Sequence, residues 1–142
     1  MIAAREHLER WVHQQQVRRA VGQPELVAEP HLSAALGAAV RGFPQGFRWI
    51  EARDGTEIAL EVDGPERAWA VRREAGEWQV AKSSGTPDVV LSMDVPTAAA
   101  VFSKGLSIDE TRARVDVSGD QKVGQAVKEG IVAFFGRNEE AT

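Results

Sequence analysis

Residues 57–65, Glu57-Ile58-Ala59-Leu60-Glu61-Val62-Asp63-Gly64-Pro65, carry the reading that decides the fold class. Ile58, Leu60 and Val62 alternate with Glu57, Ala59 and Glu61, the period of two that sends successive side chains to opposite faces of a strand. Asp63-Gly64-Pro65 then ends the run with residues suited to a turn. The alternation predicts one buried and one wet face, as in an antiparallel sheet solvated on one side.

The same grammar continues on both sides. Asp54-Gly55, Asp63-Gly64-Pro65 and Glu74-Ala75-Gly76 separate four short segments, Phe47 to Ala52, Glu57 to Val62, Arg67 to Arg73 and Glu77 to Lys82, which reads as a series of hairpins. Trp49, Trp69 and Trp78 fall within these segments and read as core or sheet-face residues before any ligand role. Beyond Pro87, Asp88 to Met93 is a further short strand. Asp94 is a cap for a helix with Pro96 in its first turn and the apolar stretch Ala98 to Phe102.

Ser107-Ile108-Asp109-Glu110 fits a capping box and predicts a short helix. Ala113, Val115 and Val117 alternate with Arg114, Asp116 and Ser118, a strand pattern ending at Gly119-Asp120. The last helix, Gln121 to Phe135, sets Val123, Val127, Ile131 and Phe134 on one stripe, whose simplest cover is the sheet.

Upstream, the spacing predicts a helix from about Ala3 to Val21, with Leu8, Trp11 and Val12 on one side, Gln14-Gln15-Gln16 as a polar end, and Gly22-Gln23-Pro24 as its stop. A second helix follows Pro30 through Leu32, Ala35, Leu36 and Val40 until Gly42-Phe43-Pro44. Gln23 to Glu29 is a plausible hinge. The expected fold is α+β: a mainly antiparallel sheet of about five to six strands covered by helices, with an extra N-terminal helix. The expected division is residues 1–22 and 30–142.

Composition bounds the function. A chain of 142 residues, 43% hydrophobic and 27% charged, fits one globular domain. No apolar run approaches the roughly 18 residues of a membrane span. Residues 1–20 lack the apolar core of a secretory signal, so a cytoplasmic place is expected. With no cysteine there is no thiolate ligand or nucleophile. A net charge of −4 with scattered signs argues against nucleic acid, and Arg18-Arg19 and Arg72-Arg73 read as solvated faces.

The candidate chemistry lies in Glu6-His7-Leu8-Glu9-Arg10-Trp11-Val12-His13. Glu9 and His13 stand one helical turn apart, so a carboxylate and an imidazole can point at one metal ion. The competing reading is an ordinary surface i,i+4 pair. The C-terminal stripe likewise reads either as helix core or as the lining of an apolar-ligand site.

Three segments together resemble a sterol-carrier-protein-like domain: Pro87 to Asp94, Val101-Phe102-Ser103-Lys104-Gly105-Leu106-Ser107, and Arg112 to Asp120. Residues 4–16 are similar to the last bundle helix of actinobacterial proteins in the mycothiol-dependent maleylpyruvate isomerase family, which join a DinB-like metal-binding bundle to a sterol-carrier-like domain. The resemblance implies Glu9 and His13 as ligands of a divalent metal, usually zinc, with mycothiol as the thiol cofactor.

The family's remaining ligand is a histidine of an earlier bundle helix, which His7 and His31 do not match. Where many members have Gly-Arg after the apolar helix, this chain has Lys104-Gly105, so Lys104 is the candidate for the cofactor-binding charge. The reading is therefore a sterol-carrier-like module, non-catalytic by itself, that binds an apolar small molecule, a partner protein or a second copy. Phe102, Val127, Ile131 and Phe134 are the expected apolar lining. The alternative is a component of a zinc- and mycothiol-dependent isomerase or transferase.

Overall fold

The computed structural model describes residues 2–24, 27–29, 31–64 and 68–137, with residues 2–5 and 7 described by backbone alone. Its elements are α1 (Ile2–Ala20), α2 (His31–Val40), α3 (Phe43–Gly46), β1 (Glu57–Val62), β2 (Ala68–Glu74), β3 (Glu77–Ala81), β4 (Val89–Met93), α4 (Val95–Phe102), α5 (Ile108–Arg114), β5 (Asp116–Gly119) and α6 (Gln121–Phe135). The expected hinge at Gln23 to Glu29, the first residue of the third segment, Arg67, and the helix-leading Pro30 lie partly or wholly outside the described residues.

The strands form one five-stranded sheet in the order β3-β2-β1-β4-β5. Three pairings are antiparallel, and β1 runs parallel to β4, with Ile58 opposite Val89 and Leu60 opposite Leu91. The α+β class and mainly antiparallel sheet thus stand, with helices packed around its core face.

Two strand readings change. Phe47 to Ala52 is not a strand. Gly42-Phe43-Pro44 does not simply stop α2 but opens α3, with Pro44 in the first turn, and a turn over residues 47–49 follows. Phe47 and Ile50 are buried three residues apart while Arg48 and Trp49 face outward, a turn's spacing rather than a strand's. The alternation about Ala113 also begins too early, because α5 continues to Arg114 and only Asp116–Gly119 is strand.

β1 departs from the expectation of one wet face. Ala59, between Ala70 and Val90 of the flanking strands, is buried, and so is Glu57. A central strand is shielded by neighbours on both sides, and the short alanine side chain does not reach past them.

The core face carries Ile58, Leu60, Val62, Val71, Trp78, Val89 and Leu91. Against it lies an aromatic cluster in which the Phe102 and Phe135 rings meet edge to face at 4.9 Å and Phe43 and Phe47 lie 5.2 Å apart. Trp11 of α1 joins this core, and Gln15 is buried, so Gln14-Gln15-Gln16 is not a simple polar end. Two predicted caps form. Asp94 accepts from Thr97 N at 2.8 Å, and Ser107 and Glu110 exchange both bonds of a capping box. Among the described residues no helix is long and apolar enough to cross a membrane.

Candidate functional site

α6 meets the sheet and the α3 segment through small residues. A Cβ at Gly124 would stand 2.9 Å from a Val117 methyl carbon, and one at Gly130 would stand 3.3 Å from the Phe47 ring. This close approach buries Val127, Ile131 and Phe135. It leaves Lys122, Val123, Ala126, Gly130, Ala133 and Phe134 facing the Gly46–Glu51 segment across an open groove of about 630 Å³.

The groove is unusual in what it leaves to water. Trp49 is 79% exposed and Phe134 is 43% exposed, although an aromatic side chain gains most when buried. The Arg48 guanidinium lies over the Trp49 ring at 5.1 Å from its centroid and donates to Gln45 O at 2.7 Å, which fixes both side chains at the rim. Arg48 and Lys122 supply two cations against the one carboxylate of Glu51.

The expected apolar lining therefore separates. Phe134 faces this groove, whereas Phe102, Val127 and Ile131 are packed in the core. Trp78 is buried, with its indole N–H donating to Ile50 O at 3.2 Å, and Trp69 packs against the core. Trp49, expected in the core or on a sheet face, instead projects from the rim. Its only signal in the sequence is the density of Gly42, Pro44 and Gly46 just before it, which favours a turn over a strand.

A second polar cluster surrounds Glu57. Its carboxylate accepts from Arg72 Nη2 at 2.7 Å and from Ser84 N at 3.2 Å, while its backbone N–H donates to Asp88 Oδ2 at 2.8 Å. Burial alone would raise the Glu57 pKa, but the Arg72 and Ser84 hydrogen bonds outweigh it and hold the carboxyl below its ordinary value. With its lone pairs occupied, this carboxylate is a structural anchor rather than a general base.

The arginine pairs read as solvated faces are built into the fold. Arg72 holds Glu57, Arg73 donates to Ile50 O at 2.9 Å, Arg18 donates to Pro24 O at 3.2 Å, and Arg19 donates to the Ser103 hydroxyl oxygen at 2.7 Å. Lys104 follows α4 with its side chain exposed and φ +57°.

Glu9 and His13 are both exposed on α1, and the side chain of His7 lies outside the described residues. Among the described residues no group of three or more His, Cys, Asp or Glu could hold a metal ion. Two donors on one exposed helix do not fit a resident zinc site, which takes at least three protein ligands.

No family model matches the chain, and no curated protein matches it either. Solved structures resemble it in fold. They include palmitated SCP2L2 from Aedes aegypti (15% identity, TM-score 0.44, covering 66% of this chain and 90% of that one). The sterol carrier protein domain 2 of Helicoverpa armigera is also similar (16%, TM-score 0.47, 75% and 87%), as is a UbiJ-SCP2 ubiquinone synthesis protein (16%, TM-score 0.44, 69% and 89%). Identities this low do not speak to ligand or activity.

Proposed function

We propose that this chain is a carrier-type binding module that holds an apolar or amphipathic small molecule in the groove between α6 and residues 46–51. One observation carries the reading. An open groove of about 630 Å³ is walled by an indole that is 79% exposed and lined by the small residues Ala126, Gly130 and Ala133. That volume lies within the several hundred Å³ of small-molecule sites, and such sites are mostly apolar with a few polar groups at the edge. Here Arg48 and Lys122 are those edge groups.

The test is titration with the fluorescent polyene cis-parinaric acid. Saturable, one-to-one binding in the micromolar range is expected, with Ala133→Trp, which fills the groove from its exposed side, abolishing it. Failure to saturate, or binding indifferent to Ala133→Trp, overturns the reading.

A further inference from the structure

We infer that the rim formed by Trp49 and Phe134 docks the protein on an anionic phospholipid surface, with Arg48 and Lys122 toward the headgroups. Trp49 sits on a turn and is 79% exposed, and Phe134, which lines the same groove, is 43% exposed. An indole with an apolar body and a wet N–H is suited to a membrane–water boundary. Arg48, stacked 5.1 Å from the centre of that ring, gives the projecting aromatic a cationic edge. Lys122 stands across the groove from it.

The charge at this rim runs against that of the whole molecule. The chain carries −4, yet the groove brings together two cations and one carboxylate. A basic edge around an apolar projection on an acidic protein complements an anionic leaflet.

One step of the argument rests on the carrier reading. The groove is open along one side, so an apolar molecule lying in it would keep a flank in water unless another apolar phase covered the mouth. A bilayer provides that cover and receives the molecule without an aqueous step.

The experiment is cosedimentation of the whole chain with phosphatidylcholine–phosphatidylglycerol vesicles and with pure phosphatidylcholine vesicles. The same protein is titrated with cis-parinaric acid in the absence of lipid. Binding to the mixed vesicles is expected to weaken with salt. It should fall about tenfold in Trp49→Ala and about fivefold in Lys122→Gln, with melting temperatures unchanged because both side chains are exposed.

Equal binding to both vesicle types, no sedimentation, or indifference to Trp49→Ala overturns the docking. So does a dimer in solution that Trp49→Ala dissolves while vesicles are ignored, since a second copy would then cover the rim. Parinaric acid binding without vesicle binding removes the docking and leaves the carrier reading, and the reverse pattern removes the carrier reading alone.

Discussion

The guanidinium of Arg19 occupies the space into which a side chain at Gly105 would grow. A Cβ there would stand 2.6 Å from Nη2 and 2.7 Å from Cζ of Arg19. Arg19 reaches this place from α1 and donates to the Ser103 hydroxyl oxygen at 2.7 Å. That hydroxyl in turn donates to Ala99 O at 2.6 Å. The N-terminal helix is thereby tied to the end of α4 through a gap that only glycine leaves open.

A double-mutant cycle tests this tie. Gly105 is not among the glycines with left-handed φ, so alanine suits its backbone and Arg19 is the obstacle. Gly105→Ala is expected to cost about 1 kcal/mol by displacing the Arg19–Ser103 bond, and Arg19→Ala a similar amount. Added to Arg19→Ala, the glycine change should then be neutral or stabilise by a few tenths of a kcal/mol, because it stiffens the unfolded chain. Urea unfolding of the four proteins reads the coupling, and additive penalties would contradict it.

Glu57 sets a pH dependence. Its folded pKa lies below the ordinary glutamate value of 4.5, so its stabilising effect is complete above that value and is lost as pH falls through the folded pKa. Glu57→Gln should cost about 2 kcal/mol near neutrality, because the amide loses the charge-assisted bond while remaining buried. The gap between wild type and variant should hold from about pH 7 to about pH 5 and narrow as pH falls further. Urea midpoints across that range check it, and a gap constant with pH would mean that charge is not what Glu57 contributes.

Most of the fold is legible in the sequence because most of it is local. The capping box at Ser107, the cap at Asp94 and the bounds of α6 depend on residues within one turn of each other, and all appear as expected. What escapes the sequence is set across strands. Glu57 reads as wet because nothing local announces that Arg72, fifteen residues away, and the Ser84 N–H will close around it. The parallel pairing of β1 with β4, separated by two intervening strands, is equally silent. The groove was half legible. Phe134 belongs to the recognised stripe, whereas Trp49 was hidden by an apparent alternation in Phe47 to Ala52 that a turn produces equally well.

Gly119 joins β5 to α6 with φ +100°, and a Cβ there would run into the Asp88 carbonyl oxygen. The next residue, Asp120, donates its N–H to that same oxygen at 2.9 Å and caps α6 by accepting from Val123 N at 3.0 Å. Gly119→Ala therefore combines left-handed strain with a collision against backbone that cannot swing aside. A loss of about 3 kcal/mol is expected. Gly55→Ala is the control: it has φ +93° and nothing within 4 Å of its Cβ, so it carries the strain alone, about 1 kcal/mol. Equal losses by thermal or urea unfolding would remove the collision from the account.

Zinc separates a shared surface from a metal centre at the N-terminus. Glu9 and His13 are exposed on α1, and no third donor gathers near them among the described residues. A ligand present at a hundred times its dissociation constant adds about 2.7 kcal/mol to folding, a shift of several degrees in melting temperature for a chain of this size. Two donors should not reach that regime, so zinc in modest excess is expected to leave the melting temperature of wild type and His13→Ala alike. A zinc-dependent rise that disappears in both Glu9→Ala and His13→Ala would show a complete site. If that rise came with a zinc-dependent oligomer, a neighbouring chain would be the source of the missing ligand.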